Sequence, residues 1–362
     1  MFRIKRVDAI ACRVPFSDLY DGPRSVAQGW RHFDMVLVRV ETEDGTVGWG
    51  ESFAYSCLRA THAAVVDMVA PHAVGREVGD IPTFTRDMQQ RLHIQGRYGI
   101  TIFAISGLDI ALWDITAQRA GVSLAEHLGG TARSSVPAYA SLVRYGDPAA
   151  VKASITRAVG EGYQAIKLHE PVYENAAEAR ETAGPGIRLM NDVNCAWTEP
   201  EAVAMITAMR GLDLHWIEEP VFPPEDYDAL ARLGGLGVPV AAGENACTAV
   251  EFARLIPAVT YPQPSVTKVG GITEFLTVAD IAKAAGKTVM PHSPYFGPGY
   301  WATLQLAAHL GDLGMLEFLY TAPEGWTGLD IPLPKSGTVA LPSRPGIGFT
   351  PDTALINRYR IL

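Results

Sequence analysis

Three carboxylates stand at equal intervals in this sequence. Asp192 lies in LMNDVN, Glu218 in HWIEE and Glu244 in VAAGEN, each 26 residues from the next. Lys167 precedes Asp192 by 25 residues in AIKLHE, and His169 follows it by two. His292 stands in VMPHSP, and Glu317 in MLEFL another 25 residues on. If each string is a strand and each interval one strand–helix unit, the three acids sit on adjacent strands at one rim. Converging carboxylates repel one another and stay ionised together only around a cation. Hard oxygen ligands with no Cys or His cluster nearby favour Mg2+, with Mn2+ as the alternative, over zinc. The competing reading is three separate surface acids, each paired with Arg or Lys; their common register argues against it.

Such a site suits one kind of reaction. A proton next to a carboxylate is weakly acidic, because its removal places two negative charges on one enediolate. A divalent cation and a lysine ammonium can hold those oxygens, and a neutral base near the working pH must then reach the α-carbon, which suits histidine. Alternation along AIKLHE puts Lys167 and His169 on one strand face above Ala165, with Ile166 and Leu168 on the other. The same rule groups Met190, Asp192 and Asn194, then Trp216 with Glu218, and Ala242 with Glu244. Lys167 is thus expected to grip a small carboxylate substrate while His169 or His292 takes its α-proton. Tyr295, in HSPYFGPGYW, is a candidate aromatic lining the substrate. Two other chemistries compete: a Schiff base on Lys167, and a metal-binding barrel without turnover.

The elements that must position these residues follow from periodicity. FDMVLVRVETEDGTVGWGESF alternates apolar and polar residues around Asp44-Gly45, a hairpin signal. From about Leu58 to Leu128 the period turns helical, and Gly129-Gly130 ends the last helix. Residues 1–130 therefore read as an α+β domain. From Val136, short apolar strings alternate with amphipathic helices: VPAYASL, AIKLHE, IRLMNDVN, LHWIEEP, VPVAAGEN, QPSVTKVGG, TVMPHSP and GMLEFLY. Thr198 and Glu201 form a capping-box signature at one helix start. The fold class is α/β, with a (β/α) barrel over 131–321. An open doubly wound sheet is the competitor, but no GxGxxG follows a first strand. The Pro- and Gly-rich segment 322–362 is expected to leave the barrel and pack back on the first domain.

Composition limits the partners. The chain has 362 residues, a formal charge of −9, a pI of about 5.5 and no basic run, which argues against nucleic acid. No stretch of eighteen uncharged apolar residues occurs, so no membrane span is expected. Cys12, Cys57, Cys195 and Cys247 are scattered, as in a reduced cytoplasmic protein.

The strings TVGWGES, SGLDIALWDI, IKLHE, NDVN, WIEEP, GEN, KVGG, MPHSP and LEF together resemble the enolase superfamily, specifically its mandelate racemase-like branch. The resemblance covers nearly the whole chain. It implies a modified TIM barrel under an N-terminal α+β capping domain, with Asp192, Glu218 and Glu244 as Mg2+ ligands. By the same resemblance Lys167 orients the substrate carboxylate, His169 replaces the lysine that serves as base on that face, and His292 matches the base on the opposite face. Asn194 would neighbour the substrate, and Glu317 would hydrogen-bond its carboxylate. One position departs: Ser265 stands where the racemase-like branch usually has Asp beside the histidine and the muconate-lactonizing branch has Lys. Dehydration of a sugar acid or related hydroxy acid is the expected reaction, with racemisation or epimerisation and lactone cycloisomerisation as alternatives. Residues such as Tyr20, Arg24, Trp30, Tyr55 and Arg59 could supply specificity from the capping domain. Related barrels often assemble, so a homo-oligomer is expected.

Overall fold

The computed structural model describes residues 1–17, 30–130 and 133–362; Tyr20 and Arg24 lie outside them. The first domain is built on antiparallel strands β1 (Phe2–Ser17), β2 (His32–Thr42) and β3 (Val47–Phe53), with β4 (Glu77–Val78) paired to β1. The β2–β3 turn falls at Asp44-Gly45, where Gly45 takes φ +87°, a conformation glycine adopts without steric cost.

The helix Ile100–Ala120 lies across this sheet. Close approach needs small residues at the contact: a Cβ on Gly50 would come within 1.9 Å of the Gly107 carbonyl oxygen, and one on Gly107 within 2.3 Å of Ser52 Oγ. This helix is long and apolar enough to cross a membrane, but 83% of its apolar window is buried inside the protein. Its apolar surface serves the core.

The second sheet holds seven parallel strands: β5 (Ser135–Ser141), β6 (Ala165–Leu168), β7 (Arg188–Asp192), β8 (Leu214–Glu218), β9 (Val240–Ala242), β10 (Tyr261–Pro262) and β11 (Leu316–Leu319). β11 pairs with β5, so the sheet curls into a barrel. The expected strand TVMPHSP forms no regular ladder, because Pro262, Pro264 and Pro291 have no N–H to donate. It still bridges the gap: Met290 N and His292 N donate to the carbonyls of Pro262 and Pro264, and Gly314 N to that of Val289. QPSVTKVGG likewise forms no strand: the short β10 ends at Pro262, just before it, and the chain turns at Val266.

Inside the barrel, Tyr139, Ala165, Met190, Trp216, Ala241, Met290 and Met315 form one apolar layer. Ile166, Leu168 and Ile217 point outward into the core under the helices. The Thr198–Glu201 capping box forms as expected, with Thr198 N 2.8 Å from the Glu201 carboxylate. The segment after β11 touches both domains. Ala322–Pro323 pairs with Phe16–Ser17 of β1, and Ile361 N donates to Ala11 O at 2.7 Å. Between them, Thr338–Ala340 pairs antiparallel with the start of β5. All four cysteines are free.

Candidate active site

Above the apolar layer the inward positions become charged. Lys167 is fully buried, its Nζ 2.8 Å from Glu317, 2.9 Å from Glu218 and 3.3 Å from Asp192. Burial alone favours the neutral amine, but Glu218, Glu317 and Asp192 overcome it and hold the lysine charged, far above its ordinary range. Burial would also raise Asp192, yet Lys167 and His169 hold it well below the usual carboxylate range. Glu218 is fixed from behind: Trp216 Nε1 and Gln263 Nε2 each donate to its Oε2 at 2.9 Å, leaving Oε1 to the centre.

Glu244 reaches this centre by a route that strand alternation misses. Ala241, not Ala242, faces the barrel interior, and Ala242 packs outward. Gly243 then adopts φ +144°, which turns Glu244 back over the mouth. Oxygens of Asp192, Glu218 and Glu244 lie within 4.8 Å of one another. An octahedral shell with bonds of about 2.1 Å is roughly 4.2 Å across, so these ligands fit a magnesium ion after small shifts. Around Lys167 three carboxylates share one ammonium, a surplus of negative charge that a divalent cation offsets.

Two histidines face the same cavity, of about 460 Å³, which Asn194, Glu244 and Glu317 also line. His169 lies just past β6, with Nδ1 2.5 Å from the Leu142 carbonyl oxygen and Nε2 3.4 Å from Asp192. Arg144 braces this wall, donating from Nε to the His169 carbonyl at 2.8 Å and from Nη2 to Asn194 at 2.9 Å. His292 is nearly buried, with Nε2 2.7 Å from Glu244. Its Nδ1 lies 3.0 Å from Ser265 Oγ and 3.2 Å from the Tyr295 hydroxyl, and those two hydroxyls contact each other.

Several expectations need correction. Tyr295 does not line the cavity; it is 2% exposed and packs behind His292. At the departing position, the Ser265 hydroxyl itself contacts His292 Nδ1. Asn194 adopts φ +47° past the end of β7 and reaches the mouth by that turn rather than by alternation. Glu317, an acceptor for Lys167, Ser141 Oγ and Ser293 N, cannot donate to a carboxylate while ionised. Arg144 went unread; its signal is its place just after β5, at the strand C-terminal rim. Trp30, Tyr55 and His32 also line the cavity; Arg59 is exposed and away from it.

The chain matches the family models described as the mandelate racemase/muconate lactonizing enzyme N-terminal domain over residues 20–129 and the enolase C-terminal domain-like family over 150–355. It belongs to the enolase superfamily, in the mandelate racemase/muconate lactonizing enzyme family. Its superfamily relatives include a D-galactarolactone cycloisomerase of Agrobacterium fabrum, 34% identical over 90% of this chain and 91% of that protein. A D-galactonate dehydratase of Klebsiella pneumoniae is 31% identical over 73% of this chain and 72% of its own length. Among solved superfamily structures, an L-talarate dehydratase from Polaromonas sp. JS666, complexed with Mg and L-glucarate, superposes with a TM-score of 0.86 at 26% identity, covering 100% of this chain and 98% of that one.

Proposed function

We propose that this protein is a magnesium-dependent lyase that removes the α-proton of a sugar acid and expels the neighbouring hydroxyl. The observation that carries the reading is one cavity with a histidine on each wall and the Asp192, Glu218 and Glu244 oxygens between them. Bound there, Mg2+ would withdraw charge from the substrate carboxylate and so acidify its α-carbon. Lys167, kept protonated by its three carboxylates, would hold a carboxylate oxygen. Glu317 serves by fixing that ammonium, and Asn194 meets substrate hydroxyls at the mouth. His169 and His292 move protons on opposite faces of the substrate.

Lactone cycloisomerisation is the second reading, favoured by the 34% identical relative of that activity. It needs the same α-proton removal, with a ring oxygen departing in place of hydroxide. We further assign residues 1–130, 131–321 and 322–362 as capping domain, barrel and returning segment. We place the protein in the cytoplasm as a homo-oligomer without nucleic-acid or membrane partners; its free cysteines support the compartment, and its acidic charge argues against nucleic acid.

The test is a panel of aldonic and aldaric acids and their lactones, incubated with Mg2+ in deuterated buffer. Loss of water from one of the acids, dependent on Mg2+, is the expected result. Ring opening of a lactone alone selects the second reading. No product and no deuterium at the α-carbon across the panel would rule out both.

A further inference from the structure

We propose that Lys268 is a positioning residue: its ammonium, held over two rings of the first domain, fixes Phe53 at the wall of the substrate cavity. That a substrate meets Phe53 rests on the reading above; the contact between the lysine and the rings does not.

Lys268 stands on the turn between β10 and the helix Gly271–Ala284, and only 5% of it is exposed. Lysine is rarely buried this far without a carboxylate partner, and Lys167 has three within 3.3 Å. Among the described residues, no carboxylate lies within 4.0 Å of the Lys268 ammonium. Rings take that place. Nζ lies 4.5 Å from the centre of Phe53 and 5.8 Å from that of Phe103, both inside the distance of about 6 Å at which the negative face of a ring attracts a cation. The two rings meet nearly edge to face, with centroids 5.2 Å apart and planes at 69°. Away from water the attraction is stronger than at the surface, because no solvation shell competes for the ammonium.

The lysine and the rings come from different domains. Phe53 ends β3 and Phe103 lies in the helix Ile100–Ala120, whereas Lys268 belongs to the barrel. The backbone on either side of the lysine is sewn to the same two elements. Phe53 N donates to the Thr267 carbonyl at 3.3 Å, and Gly270 N donates to Ser106 Oγ at 2.9 Å. A Cβ on Gly271 would come within 2.3 Å of Asp109 Oδ1, so the turn lies close against that helix. This tether fixes where the ammonium sits. The ammonium then fixes how the Phe53 ring turns, since only the ring face attracts a cation and the edge repels it.

Phe53 links this joint to the cavity. It lines the cavity together with Tyr55 and Trp30, and the three rings follow one another at 4.8 and 5.5 Å. Lys268 and Phe103 are not among the lining residues. Neutralising Lys268 therefore leaves Lys167, His169 and His292 in place and loosens the first ring of the wall against which a substrate packs. Binding should weaken while the chemical step keeps its rate.

The experiment compares Lys268→Met, which keeps the unbranched stem without the charge, with Lys268→Arg, which keeps a cation for the rings, in the whole protein with Mg2+. On a sugar acid that the protein turns over, Lys268→Met should raise KM by about tenfold with kcat within about twofold, and Lys268→Arg should keep KM within about threefold of the parent value. In a Phe53→Leu background, Lys268→Met should change KM by less than about twofold, because the ring through which it acts is gone. An unchanged KM in Lys268→Met, equal KM values in the two Lys268 variants, or a fall in kcat at constant KM overturns the proposal. The contact is read separately by 1H–13C NMR of protein labelled at lysine. The methylene next to Nζ of Lys268, assigned by its loss in Lys268→Arg, should resonate upfield of exposed lysines, because ring currents shield protons over a face, and should return downfield in Phe53→Leu. An ordinary position in the unsubstituted protein overturns the proposal whether or not any acid is turned over. A panel of acids without turnover would instead sink the reaction and leave that signal in place. If Lys268→Met does not fold, Phe103→Leu, which removes a ring outside the cavity, should raise KM at constant kcat; an unchanged KM there counts against the proposal.

Discussion

The two walls of the barrel mouth carry the same side chain, but they are built by different parts of the chain. Among the described residues, the contacts that fix the His169 wall come from the barrel. Leu142 and Arg144 follow β5, and Glu170 is locked to Asn191 of β7 by paired backbone–amide bonds of 3.0 and 2.8 Å. The His292 wall is a joint product of three regions. From the first domain, Tyr55 donates to the Pro294 carbonyl and Glu51 accepts from Gly299 N at 2.9 Å. Phe33 meets Phe296 edge-on at 4.1 Å, and Trp326 from the returning segment meets it at 4.3 Å. Each such ring pair adds about 0.5–1.5 kcal/mol beyond the area it buries. One histidine stands on a floor built within the barrel, whereas the other is tied to the first domain. Changes in the first domain should therefore be felt at His292 before His169.

The largest effect should erase both walls together. Chelation of the metal, or Asp192→Asn, is expected to reduce α-proton exchange and product formation alike to background, followed by proton NMR in deuterated buffer. The next substitutions separate the walls. His169→Ala should lower exchange and turnover in parallel by about 10²–10⁴-fold, the usual worth of a positioned acid or base. His292→Ala should lower product formation by a similar factor while exchange at the α-carbon continues. Equal loss of exchange in both variants would mean that the two walls do not divide the proton transfers between them.

The same contrast explains what could be read from the sequence. The His169 side was legible because it rests on local rules: strand alternation places Lys167 over Ala165, and the 26-residue spacing aligns Asp192 with Glu218. The His292 side was not, because its geometry depends on prolines that interrupt pairing and on contacts far apart in sequence. Ser265 and Tyr295 are 30 residues apart, and no local period brings their hydroxyls onto one imidazole. Glu244 reaches the rim that its spacing indicated, but alternation assigned it the wrong strand-mate, since Gly243 resets the face at φ +144°. The capping contacts of Phe33, Glu51 and Tyr55 involve residues more than 200 positions from their partners, and only the folded chain reveals them.

A smaller effect tests how rigid the His169 wall is. Arg144 spans the gap between the His169 carbonyl and Asn194 with two separate N–H groups. Arg144→Ala should lower kcat by about tenfold through misplacement of His169, with exchange and elimination falling together. Arg144→Lys should not restore activity, because a single ammonium cannot reproduce the two-point fork. Steady-state kinetics and deuterium exchange on the same samples check both statements.

The smallest expected effect is on stability, and it belongs to the other wall. Glu51 is 3% exposed and has no basic partner among its hydrogen bonds, only backbone amides at the start of the helix Pro298–Leu310. Burial pushes its carboxyl up from 4.5 to about 7, against the opposing pull of those amides. An acid raised on folding contributes stability that is fully present below its unfolded pKa and is lost as pH rises through the folded one. The window is therefore about pH 4.5 to 7, and the loss across it is at most about 3 kcal/mol. Glu51→Gln keeps an oxygen to accept from Gly299 but cannot ionise. Urea midpoints at pH 5.5 and pH 8 should then show the variant gaining on the parent protein as pH rises, by about 1–3 kcal/mol. Asp109 and Asp114, each pushed by burial to about 6, act in the same direction in both proteins and cancel from the difference. Parallel curves across that range would mean that Glu51 keeps the same protonation state folded and unfolded, and that the joint behind His292 is insensitive to pH.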